Sequence, residues 1–93
     1  MDTIKSVLIT FDPAKRDKTL QERGLDFADA GLVFAGATLT FKDGRANYGE
    51  DRFVTVGELI GRMVILVWTP TEKGRRIISM RKANEREQAR YRQ

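Results

Sequence analysis

Apolar and polar positions along this chain switch between the period of a strand and the period of a helix. Residues 6–11 run Ser-Val-Leu-Ile-Thr-Phe, a short β-branched and aromatic stretch suited to a strand. Asp12-Pro13 follows, a helix cap with Pro at the first helical position, where no N–H is needed. The predicted helix continues to Arg23 and stops at Gly24; its thin apolar stripe puts it on the surface. Asp26 marks a second start. Phe27, Ala30, Val33 and Phe34 then recur at helical spacing, and Gly36 closes the pattern.

Strand character returns at residues 37–42. A polar loop with two glycines spans 43–51, a strand covers 53–56, and a turn covers 57–61. The most apolar run, 63–69, is predicted to be the central strand. A turn at 70–74 leads to a last strand at 75–80, and Asn84 with Glu87 forms a capping box that opens a helix to the end of the chain. Four consecutive strands on short turns imply an antiparallel meander. With an N-terminal strand and two short helices before it and a helix after it, the expected class is α+β. One sheet face should be covered and the other partly open.

Composition narrows the chemistry. Ninety-three residues suit a single domain, 1–93. Cysteine is absent, which excludes disulfides and thiolate metal sites and suits a reducing cytoplasm. Histidine is absent too, which removes the commonest general base and the commonest metal ligand. Asp2 and Lys5 interrupt the start, so no secretory signal is expected, and the apolar run 63–68 is too short to span a bilayer. Charge is uneven. Residues 71–93 hold eight Lys/Arg against three Glu, whereas residues 1–70 hold nine Lys/Arg against ten Asp/Glu. A one-signed surface on a small fold points to a polyanion or an acidic protein as partner.

Four features could carry chemistry, each with a plainer reading beside it. The loop 45–52 (Arg-Ala-Asn-Tyr-Gly-Glu-Asp-Arg) gathers two guanidiniums, a phenol and two carboxylates. It is either a solvated loop with weak surface ion pairs or a phosphate clamp beside a proton-transfer group. In the last strand, strict alternation puts Arg75, Ile77, Ser79 and Arg81 on one face and Ile78 and Met80 on the other. That row is either a phosphate-binding face or an edge protected by charge. Trp68 is either a packing residue or a base-stacking platform. Lys82, Arg86 and Arg90 form a basic helical stripe, solvated or facing an acidic partner.

Several blocks together are more specific. Tyr48-Gly49-Glu50-Asp51-Arg52, Gly61-Arg62, Trp68-Thr69-Pro70, the run from Arg76 to Glu87 and Tyr91 resemble the BrnT family of bacterial toxins. Phe11 to Lys15, Gly24 and Phe27 fit the same pattern. The resemblance implies a RelE-like fold and a ribonuclease toxin of a type II toxin–antitoxin pair. Such a toxin cleaves RNA without metal or cofactor and shuts down translation in the cytoplasm. It further implies a BrnA-like antitoxin with a ribbon-helix-helix region, a 2:2 complex, and binding of that complex to its own promoter. Many members carry Arg directly after the Thr-Pro; this chain has Thr71 and Glu72 there, with Lys73 and Arg75 as the nearest cations.

Metal-free cleavage needs a base for the 2′-OH, cations for the phosphorane-like charge and an acid for the leaving oxygen. Glu50 and Lys82 are expected to move protons, and Arg52 and Arg81 to clamp the phosphate. Tyr48 and Trp68 are expected to stack a base, and Arg75, Arg76 and Ser79 to hold RNA. The competing class is a non-catalytic module that binds nucleic acid or protein through the same basic surface.

Overall fold

The structure, a computed structural model, describes residues 8–44 and 49–92. Its elements are strand β1 (Leu8–Phe11), helix α1 (Pro13–Arg23), a 3-10 turn (Phe27–Asp29), helix α2 (Ala30–Ala35), strands β2 (Leu39–Lys42), β3 (Phe53–Leu59), β4 (Arg62–Pro70) and β5 (Gly74–Lys82), and helix α3 (Glu85–Tyr91). The class is α+β, as expected. The sheet, however, has five strands in the order β1-β5-β4-β3-β2 and is mixed. β2 to β5 pair antiparallel in sequence, and β1 adds to β5 in parallel from Leu8 opposite Gly74 to Phe11 opposite Ile77. The N-terminal strand can reach the far edge because α1 and α2 supply the long crossover that a parallel pairing requires.

Local signals set most boundaries. The Asp12 carboxylate accepts from Ala14 N at 3.0 Å and Pro13 opens α1. Gly24 ends it at φ 71°, with its N–H bonded to the Leu20 carbonyl. That is a left-handed C-terminal cap, which glycine adopts without Cβ strain. Asp26 caps the next turn in the same way, accepting from Ala28 N at 2.9 Å. Its carboxylate also takes two bonds from Arg16, at 2.8 and 2.9 Å, which ties α1 to the turn.

One boundary differs in an informative way. The expected turn at 57–61 is mostly strand: β3 continues to Leu59, and only Ile60-Gly61 turn the chain. Both have positive φ, 48° and 79°, the conformation a two-residue hairpin requires. Gly57 is therefore a packing glycine. A Cβ there would lie 2.6 Å from Val33 Cγ1, so its absence lets α2 settle onto the sheet.

The core lies mainly on one side. Leu25, Phe27, Ala30 and Val33 pack on Leu59, Val64, Leu66, Ile77 and Met80. A smaller cluster of Val56, Ile65 and Ala83 occupies the opposite side, with Val54, Met63 and Tyr91 against it. α1 buries no residue, as its weak stripe predicted. Among the described residues no helix is long and apolar enough to cross a membrane.

Candidate functional site

The strand carrying the basic row does not alternate strictly. Val67 pairs with Ser79 and Trp68 with Ile77, so Ile78 is an extra residue, a β-bulge. Ile77 and Met80, three apart, consequently both enter the helix-side core, with relative exposures of 2% and 0%. The predicted single row is thus divided. Arg75 and Ile77 face the helices, while Ser79 and Arg81 face the other side.

On the helix side the aromatic residues form a connected, half-buried set. Trp68 stacks on Phe53 with centroids 5.2 Å apart and meets Phe34 edge-on at 5.6 Å. Its indole N–H donates to Thr55 Oγ1 at 2.8 Å. Thr55 is fully buried and also shares a 2.8 Å hydroxyl contact with Thr40. The Arg75 guanidinium lies 4.2 Å from the Phe34 centroid and 5.0 Å from that of Trp68. These are cation–π distances. Trp68 and Arg75 therefore belong to the packing beneath α2 and do not join Ser79 and Arg81.

The other face is open. A cleft of about 360 Å³ has Val54, Ile65, Val67 and Ser79 among its lining, with Phe41 to Gly44 along one side and Arg81, Glu87 and Tyr91 along the other. Tyr91 stacks on Phe41 across it, with centroids 6.4 Å apart. The Arg81 guanidinium donates two bonds to the Glu87 carboxylate, at 2.8 and 2.7 Å. This paired-fork geometry is the one Arg also offers to a phosphate. Glu87 meanwhile accepts from Asn84 N at 2.9 Å, and Asn84 accepts from Glu87 N at 2.8 Å, completing the predicted capping box. Arg81 first, and the Asn84 amide second, hold the Glu87 carboxyl down to about 2 from an ordinary 4.5. It is a carboxylate at all physiological pH values, suited to orienting Arg81 and too weakly basic to take a proton from a hydroxyl.

The remaining expected residues divide between loop and strand ends. Arg52 donates to Glu50 at 3.0 Å ahead of β3, and Lys42 meets Asp51 at 3.3 Å. The Arg52 carbonyl accepts from Asp43 N at 2.8 Å, which ties that loop to the rim of the cleft. Arg76 is exposed, paired with Thr69 on one side and Thr10 on the other. Lys82, the last residue of β5, lines a separate recess with Arg62 and Arg92. Tyr48 lies outside the described residues.

The sequence placed Glu87 in a capping box and Tyr91 among the family-like residues without a role at the site for either, and gave no signal for Phe41, Lys42 and Asp43. The signal for Glu87 was available. A capping box two residues after a strand turns its carboxylate back toward that strand's last side chains, here Arg81.

The sequence model for "Ribonuclease toxin, BrnT, of type II toxin-antitoxin system" matches residues 11–87, from the end of β1 to Glu87 itself. The chain belongs to the BrnT family. It is thereby a ribonuclease toxin of the type II toxin–antitoxin class, a class defined by pairing with an antitoxin. No curated protein matches it.

Proposed function

We propose that this BrnT chain is a metal-independent endoribonuclease with a RelE-like fold, acting in the cytoplasm, and that its site is the open cleft around Arg81. The observation that carries the reading is the Arg81–Glu87 pair. Two parallel bonds to the Glu87 carboxylate hold the guanidinium at the cleft, beside Ser79 and below Tyr91, where an entering phosphate can take over the same fork. In the proposed reaction the RNA 2′-oxygen attacks the adjacent phosphorus. Its proton passes to a base, the 5′-oxygen leaves with a proton from an acid, and a 2′,3′-cyclic phosphate remains. Arg81 and Arg52 stabilise the phosphorane-like charge. Glu50, carried beside Arg52, takes the proton-transfer role, with Lys82 as its rival. Tyr91 and Tyr48 are the stacking groups, and Ser79 and Arg76 add phosphate contacts. Among the described residues no group of three or more acidic side chains is placed to hold a metal ion, which supports metal-free chemistry.

The antitoxin is proposed to be BrnA-like, with a ribbon-helix-helix region. It would cover the basic face in a 2:2 complex that binds and represses its own promoter, so translation is inhibited only when the toxin is free. The test is cleavage of labelled RNA by the purified chain in EDTA, with the product ends identified. Cyclic phosphate ends from the wild type, lost in R81A, are the expected result. Cleavage only after adding a divalent ion would overturn the metal-free step.

A non-catalytic binding module is the second reading. It is favoured by the same pair seen differently, with Arg81 serving as a strut for α3, and by Thr71 and Glu72 in the β4–β5 turn. Intact RNA bound by a folded wild-type chain would select it.

A further inference from the structure

A second groove on the molecule is lined by charge where a helix should present apolar residues. Lys15, Lys18, Thr19 and Glu22 fall at i, i+3, i+4 and i+7 of α1, which is one helix face. With Arg23 they line a groove of about 350 Å³ against Ile78 and Ser79 of β5. A helix normally packs such a face onto a sheet. Here it lies alongside a strand edge, because β1 stops opposite Ile77 and the rest of β5 has no strand beyond it. Arg23 donates to the Met80 carbonyl at 2.9 Å, satisfying one backbone group of that edge. The space between is neither filled by side chains nor sealed.

The charges in this groove differ from those nearby. Arg16 is tied to Asp26 and Asp17, which holds its proton more tightly than an ordinary arginine does. Lys15 and Lys18 make no ion pair with any described residue, and Glu22 is the groove's single acid. Two lysines, an arginine and two hydroxyls, with one apolar side chain, are poor material for a protein interface. Such interfaces need a buried aromatic or aliphatic anchor. They are good material for phosphodiester oxygens. Ser79 lines this groove and the cleft with Arg81 alike, so the two adjoin at that residue on the β5 edge.

We infer that the α1–β5 groove is a binding track for the phosphodiester backbone of single-stranded RNA, holding nucleotides that flank the one in the Arg81 cleft. The inference rests on the proposed RNA substrate, and it adds a second place at which the chain grips it. Length then matters: an oligonucleotide confined to the cleft gains nothing from the groove, and a longer one does.

The probes are 2′-O-methyl RNA, a tetranucleotide and a dodecanucleotide, which lack the attacking hydroxyl and separate binding from cleavage. K15E/K18E alters exposed positions of a helix that buries nothing, and circular dichroism checks that it folds. The wild type is expected to bind the longer probe more tightly. K15E/K18E is expected to lose about ten-fold or more for that probe, with a salt slope shallower by about 0.7 per lost phosphate contact. A control, K73E/R86E, removes the same charge elsewhere and is expected to lose clearly less. Equal losses in the two variants would mean a bulk charge effect and overturn the track, as would wild-type binding by K15E/K18E. If wild-type RNA is never cut yet the longer probe still distinguishes the variants, the cleavage reading fails and the track stands.

Discussion

The two faces of the sheet use the same residue types in opposite ways. Beneath α2, Arg75 and Trp68 are stacked on each other and on phenylalanine rings, and the indole N–H is bonded internally. On the open face Arg81 and Tyr91 border a cleft, and Arg81 keeps a side-chain exposure of 45% despite its ion pair. An Arg or an aromatic in the sequence therefore says little until its face is known. The bulge at Ile78 decides the face for this strand.

The largest test removes the helix-side keystone. Trp68→Ala takes out a ring packed between Phe34 and Phe53 and deprives buried Thr55 of a donor. We expect a loss of about 3 kcal/mol in urea unfolding. RNA cleavage per folded molecule should fall less than ten-fold. A cleavage defect of 100-fold with unchanged unfolding would reverse the assignment and return Trp68 to the substrate.

Arg81→Ala is the mirror experiment. Cleavage should drop on the order of 100-fold, about 2.7 kcal/mol of transition-state stabilisation. Unfolding should shift by no more than about 1 kcal/mol, since an exposed ion pair contributes little. Equal damage to stability and rate would make Arg81 a strut for α3.

Third in size is Gly57→Ala, which drives a methyl to within 2.6 Å of Val33 Cγ1. Val33 is fully buried, so any shift of its side chain disturbs the core around it. The expected cost is about 1–3 kcal/mol, as for other overpacked sites. Because the clash is on the helix face, the salt dependence of RNA binding should not change. A neutral result in urea unfolding would show that α2 rides on the sheet more loosely than the geometry implies.

Much of this division could be seen in the sequence, and its limits have physical causes. Caps and turns are local, so Asp12-Pro13, Gly24, Asp26 and the Asn84–Glu87 box were all legible. The central place of β4 followed from its apolar run. Parallel pairing of β1 with β5 joins residues more than sixty positions apart and leaves no local pattern. A bulge is equally silent: Ile77-Ile78-Ser79-Met80 fits strict alternation as well as it fits an extra residue, and the difference lies in how the strand meets its neighbour. That one residue moved Arg75 away from Ser79 and Arg81. Gly57 was taken for a turn because glycine marks turns and close approaches alike.

Glu87 joins the open face to α3, and titration can isolate it with the smallest expected effect. Its folded pKa of about 2 lies below the ordinary 4.5, so the native state favours its carboxylate. The stabilisation is present in full above about 4.5 and is lost as pH falls toward 2. Asp26 is also lowered, chiefly by Arg16, so the wild type alone would mix the two. Comparing it with Glu87→Gln removes that ambiguity. The variant keeps an acceptor for Asn84 N but has no charge for Arg81, so it should start slightly less stable at neutral pH. The gap between the two proteins should then close across this acid range, with the Asp26 contribution common to both. Equal stability of the two proteins at neutral pH would mean that Glu87 holds α3 through its capping bonds alone, leaving Arg81 electrostatically uncommitted and the open face more available to a phosphate than the paired geometry suggests.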